Sequence, residues 1–153
     1  MPDSLSTSLS EHVIAARLIL AVVLGGALGL DRERLDRPAG LRTYMLTALA
    51  AALFTVLTFE IHAGLASRTG TSSADPIRII EAVTAGVAFL AAGAIFRSGG
   101  DVHGLTTGAG MWLAGAVGVA CGAGYYVVAV LATLLAAFIL AALRRLEHRL
   151  GSK

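Results

Sequence analysis

The chain has 153 residues, 56% of them hydrophobic and only 14% charged, with a net charge of +2 and a mean hydropathy of +0.78. Soluble domains carry about 25% charged residues, so an ordinary water-facing domain is excluded and a small polytopic membrane protein is indicated. The pI near 9.1 does not point to nucleic acid, because the basic residues gather beside apolar runs, where they set membrane topology.

Residues 1–12 contain no Lys or Arg. They read as an exterior segment and not as a secretory signal, which needs a positive first region, so the first apolar run is expected to stay in the mature protein. A spanning helix needs roughly 20 mostly apolar residues. Five runs approach that length, at 13–30, 42–60, 77–96, 105–122 and 125–143. The expected fold class is all-α, a transmembrane helical bundle of about five spans over residues 13–143, followed by a short basic cytoplasmic tail, 144–153. The single cysteine, Cys121, forbids an intrachain disulfide and reads as a small packed side chain.

The first run carries Arg17 near its outer end, and Gly25 and Gly29 at a four-residue spacing that suits close helix packing in lipid. A dense knot of charge follows: Asp31, Arg32, Glu33, Arg34, Asp36, Arg37 and Arg42. Carboxylates contribute little to orientation, so their presence needs another cause. Either Asp31 and Glu33 pair with Arg42 and Arg97, or they are oxygen ligands for a hard cation such as Mg²⁺; the spacing alone names no metal.

Segment 61–76, rich in Ser, Thr and Gly, reads as a flexible exterior connection. At its end Asp75 is placed to cap the next helix, with Pro76 at the first helical position. The third run holds Glu81 at a depth matching Arg17, and the two are expected to face each other, with Arg78 as a competing partner. It also places Ala88 and Ala92 at four-residue spacing, with Gly86 and Gly93 beside them. The fourth run has the stripe Ala114, Gly118 and Gly122.

Orientation follows from the arginines, which outnumber lysine eleven to one. Arg32, Arg34, Arg37, Arg42, Arg97, Arg144, Arg145, Arg149 and Lys153 fall on one side, and only Arg68 and Arg78 on the other. The positive-inside rule puts the N-terminus outside and the C-terminus in the cytoplasm.

Two returning helices open alike, with Gly40-Leu41-Arg42-Thr43 and Gly104-Leu105-Thr106-Thr107. This reads as a weak parallel duplication of a helical hairpin. It would bring two helix N-termini together at the cytoplasmic face, where their dipoles favour an anionic group, either a protein carboxylate or a ligand phosphate.

The run Gly29-Leu-Asp-Arg-Glu-Arg with Pro38-Ala-Gly-Leu-Arg-Thr43 resembles the first signature of the MgtC/SapB family of membrane proteins. The second signature is matched by Ala85-Gly-Val-Ala-Phe-Leu-Ala-Ala-Gly-Ala-Ile-Phe and Val102-His-Gly-Leu-Thr-Thr107, with Trp112 and Val117-Gly-Val-Ala-Cys-Gly-Ala-Gly-Tyr125 also in place. Relatives often have glycine where this chain has Ala88 and Ala91, which predicts slightly wider contacts of the third helix. They often have His or Asn where it has Tyr44. Many also carry a soluble cytoplasmic domain after the fifth span, so this chain is expected to be a short form.

The resemblance implies a multi-pass protein of the bacterial inner membrane, in a virulence-associated family tied to magnesium homeostasis when Mg²⁺ is scarce. It implies action on other membrane systems, ATP synthase and cation transport among them, and no cofactor. Two readings remain open. One is a non-enzymatic regulator that binds membrane partners or a second copy of itself. The other is an oligomeric divalent-cation transporter or channel, with Arg17 and Glu81 at its outer mouth. Its inner mouth would hold Asp31, Glu33 and the helix starts at Gly40–Thr43 and Gly104–Thr107. An enzyme is disfavoured, because no Ser–His, paired intramembrane Asp or His-Glu-x-x-His arrangement is present and the four histidines sit at or outside span boundaries.

Overall fold

The computed structural model describes residues 7–34, 39–69, 75 and 77–150. The order is α1 (Glu11–Arg34), α2 (Leu41–Thr69), α3 (Ile77–Gly93), β1 (Phe96–Ser98), β2 (Asp101–His103), α4 (Leu105–Ala123) and α5 (Tyr126–Leu150). Asp36, Arg37, Pro76 and Lys153, assigned to loops, a helix start and the tail above, lie outside the described residues. Among the described residues, four helices, α1, α2, α4 and α5, are long and apolar enough to cross a membrane.

Helix α3 departs from expectation. It stops at Gly93 after 17 residues and does not continue to residue 96. At ~1.5 Å per residue that is about 25 Å, short of a bilayer core of about 30 Å. The chain leaves α3 through a small antiparallel hairpin, with Phe96 opposite His103 and Ser98 opposite Asp101. Gly99 and Gly100 form its turn at φ 62° and 95°, the left-handed pair that a two-residue hairpin needs. Asp75 does cap α3, its Oδ1 accepting from Ile77 N–H at 2.9 Å.

Two helices are longer than their apolar runs. Asp31 to Arg34 form the last turn of α1 and not a loop. The stretch 61–69, expected to be a flexible connection, continues α2 instead. Its Ile61, Ala63, Leu65 and Ala66 are good or tolerable helix formers, and the one interruption, Gly64, costs only about 1 kcal/mol.

Helix α4 is the hub and packs against α1, α2, α3 and α5. Because lipid gives apolar helices no reason to associate, small residues must allow backbones to touch, and the glycines of α1 and α4 do so. A Cβ at Gly25 would meet Ala48 Cβ at 2.7 Å, and one at Gly122 would meet Ala52 O at 2.5 Å. One at Gly118 would run into the Ala48 carbonyl oxygen. Both expected stripes, Gly25/Gly29 and Ala114/Gly118/Gly122, therefore face α2 or the buried core. Cys121 is fully buried among them.

The stripe on α3 is different. Helix α3 buries Val83, Val87 and Ala91, while Ala88 and Ala92 are exposed and Gly86 and Gly93 have open space around them. Ala91 does not hold α3 away from α4, because Gly108 lies opposite and a Cβ there would be 3.0 Å from Ala91 O. Three interior threonines are satisfied within their own helices. Thr47, Thr55 and Thr133 donate to the carbonyls four residues earlier at 2.7–2.9 Å, which removes the cost of a lone hydroxyl in a dry interior.

Gly118→Ala should therefore destabilise the purified protein by about 1–3 kcal/mol through forced separation of α2 and α4. Gly86→Ala should stay within about 0.5 kcal/mol of the parent. Thermal unfolding of both variants in the same detergent checks the pair.

Candidate functional site

The charged residues singled out from sequence gather at the two ends of the antiparallel α1–α4 pair. At one end is Arg17. Helix α4 finishes in a Schellman motif: Gly124, at φ 86°, donates to Cys121 O, and Tyr125 N–H donates to Ala120 O at 2.8 Å. Arg17 lies over this turn. Its Nη1 donates to Gly122 O at 2.7 Å and its Nε to Tyr126 Oη at 3.3 Å. A guanidinium at the negative end of the helix dipole, bonded to a terminal carbonyl, is well placed electrostatically.

The expected Arg17–Glu81 pair is thus replaced. Arg17 serves the α4–α5 turn, and Glu81 is exposed on α3. The sequence reading also passed over Glu60. Its carboxylate accepts from Ser8 Oγ at 2.8 Å and Leu9 N–H at 3.0 Å, tying the segment before α1 to the far part of α2. A lone acid at the end of an apolar run was the available signal.

At the other end, Asp31, Arg32 and Glu33 form the last turn of α1, with Glu33 against Gly40 and the start of α2. Arg32 is buried to 7% exposure and its Nη2 donates to Asp31 Oδ2 at 3.0 Å. Glu33 caps α2, its Oε2 accepting from Leu41 N–H at 2.9 Å. Gly40 is required there, because a Cβ would occupy the position of that carboxylate. These bonds take the place of the expected pairs with Arg42 and Arg97. Arg42 is exposed on α2, and Arg97 is exposed on β1, opposite Val102. Thr43 O accepts from Thr47 Oγ1.

Between the two ends sits Tyr44, 1% exposed. Its hydroxyl donates to Thr107 O at 2.9 Å, joining the first turns of α2 and α4. The two Gly-Leu-x-Thr helix starts do meet, as expected. They are finished differently: Glu33 caps α2, whereas α4 begins on Gly104 at φ 85° with no side-chain cap. Thr106 is exposed and Thr107 buried. Trp112, half exposed, lines an apolar groove of about 510 Å³ between α3, α4 and α5. A second groove, of about 360 Å³, lies between α2 and α3. Among the described residues, no three His, Cys, Asp or Glu side chains come together as a metal site.

Helix lengths, the glycine-packed hub and the arginine-flanked ends define a multi-pass membrane protein. The chain belongs to the MgtC family, whose model matches residues 18–149. It is 43% identical over 132 residues to Protein MgtC of Brucella abortus, covering 86% of this chain and 52% of that one. It is 34% identical over 144 residues to the Escherichia coli K12 protein named "Putative magnesium transporter YhiD", covering 94% and 66%. A Haemophilus influenzae protein without an assigned role is 34% identical over 124 residues, covering 80% and 52%. The chain thus spans about half the length of the curated relatives it matches. No solved structure matches it.

If Arg17 serves α4 and not Glu81, the double reversal Arg17→Glu with Glu81→Arg should be no more stable than the sum of its parts. A double-mutant cycle on unfolding midpoints should give a coupling below about 0.5 kcal/mol.

Proposed function

We propose that the chain is a non-enzymatic regulator in the bacterial inner membrane that adjusts ion or proton handling when Mg²⁺ is scarce. It acts by binding other membrane proteins, with ATP synthase and cation transport systems as the candidates that the family resemblance brings. The observation that carries this reading is the unused face of α3. Ala88 and Ala92 are exposed, nothing packs on Gly86 or Gly93, and apolar grooves run along both sides of the helix. Exposed small residues on a membrane helix are what a partner helix or a second copy needs for close approach. The interior supports the same reading, because α1, α2 and α4 touch backbone to side chain along their length and leave the cavities outside.

The arginine distribution supports an exterior N-terminus and a cytoplasmic C-terminus, which would put the Arg32–Glu33 end in the cytoplasm. A transporter or channel is the second reading, favoured by the name of the Escherichia coli relative. In that reading, subunits would have to assemble to form a path.

Two measurements separate the readings. Purified protein in liposomes loaded with a Mg²⁺-sensitive dye should pass no more Mg²⁺ than empty vesicles. Flux that Glu81→Gln removes would establish a transporter. Ala88→Leu with Ala92→Leu should leave the unfolding midpoint unchanged yet abolish copurification of membrane partners; undiminished copurification would remove α3 as the contact face.

A further inference from the structure

The outward face of α3 carries its charges and its small residues in one line. Arg78, Ala85 and Ala92 are seven residues apart, and so are Glu81 and Ala88. All five are exposed, on the side of α3 opposite the buried Val83, Val87 and Ala91. Alternating intervals of three and four residues are the seam of a left-handed helix pair.

The two charges on this seam are unmet within the chain. Among the described residues, neither the Arg78 nor the Glu81 side chain has an ion pair or a hydrogen bond. Both lie in the first two turns of α3, which is shorter than a bilayer core is thick, and a charge facing lipid is costly unless it is paired. Phe89 stands on the same face, 79% exposed.

Every copy of the chain enters the membrane in the same sense. Two α3 helices can therefore pair only in parallel, about a two-fold axis along the membrane normal. Such an axis sets the left flank of one helix against the right flank of the other. At about 3.6 residues per turn, Ala85 and Ala92 lie on the centre line of the seam. Arg78 and Phe89 fall on one flank, and Glu81 and Ala88 on the other. The axis thus sets Arg78 beside Glu81 of the second copy, twice over, and each Phe89 ring beside Ala88 of the second copy. Opposite charges meet, and a large side chain meets a small one. An unlike protein would need a matching pattern of its own, whereas a second copy supplies it by symmetry.

We propose that the seam Arg78–Glu81–Ala85–Ala88–Ala92 is the interface of a homodimer. This rests on the reading of α3 as a contact face and names its partner, a second copy of this chain.

The test is cysteine cross-linking of the full chain in membranes, where the native Cys121 is fully buried and does not interfere. A disulfide needs Cβ atoms about 4 Å apart, which only the centre line provides. Ala85→Cys and Ala92→Cys should each give covalent dimers. Gly86→Cys, which faces the groove between α2 and α3, should give none. Charge reversal supplies the second arm. In the Ala85→Cys background, Arg78→Glu and Glu81→Arg should each lower the homodimer yield about threefold or more. Coexpressed with different tags, the two reversed chains should cross-link preferentially to each other, because one carries two acids at the seam and the other two arginines. Misfolding cannot produce that preference.

Dimer yields at Ala85→Cys and Ala92→Cys no higher than at Gly86→Cys overturn the proposal. So do reversed chains that pair with themselves as readily as with each other. A chain that gives no dimer yet copurifies membrane proteins overturns this inference and leaves the partner-binding reading of α3 standing. Dimers with no copurifying protein do the reverse.

Discussion

Tyr44 is the contact on which the rest of the bundle depends. It sits in the first turn of α2, with its backbone and Cβ against Gly25 and Gly29 of α1, and its ring passes beside Gly110 of α4 to reach Thr107 O. In water a tyrosine at such a junction would be held mainly by area burial. In lipid that force is absent between helices, and close packing with one interhelical hydrogen bond must serve. Each glycine around Tyr44 exists to make room: a Cβ at Gly29 would meet its Cβ at 2.8 Å, and one at Gly110 would collide with its hydroxyl. Three helices are brought into register by one side chain, and the alignment of α1 with α4 positions everything else.

The two arginines of α1 have different partners. Arg17 meets the carbonyl end of α4 and closes the turn into α5. Arg32, at the other end of α1, is buried and pairs with Asp31 beside it. Helix α3 packs on α4 with Val87 against Gly115 and Ala91 against Gly108, and leaves its small-residue face, Ala88 and Ala92, exposed. The exposed face of α3 is the one that the proposed binding of membrane partners would use.

Much of this was legible in the residues, and what was not has physical causes. The helices appear in the chain as apolar runs because lipid demands them, and the stripes Gly25/Gly29 and Gly118/Gly122 mark real contacts because only glycine allows them. The stripe on α3 looked identical and is unused, since spacing records that a face is small and not whether anything lies against it. Tyr44 registered only as a departure from the family pattern. Its role needs the partner glycine on α4, sixty-six residues away. Asp31 to Arg34 were read as a loop where they end α1, and the charges were paired with the wrong groups. Arg17 went to a carbonyl and Glu33 to an amide, because helix ends offer backbone partners that a list of opposite charges does not contain.

The most direct measurement is the coupling between Tyr44 and Gly110 in the unfolding free energy of the protein in mixed micelles. Tyr44→Phe should cost about 0.6 kcal/mol, the average for an interhelical hydrogen bond in lipid, and Gly110→Ala more, because its Cβ meets the Tyr44 hydroxyl. With that hydroxyl gone the added methyl has room, so the double variant should be more stable than the sum of the two losses by at least about 0.5 kcal/mol. Strict additivity would mean that the tyrosine does not occupy the slot between α1 and α4, and would contradict the account.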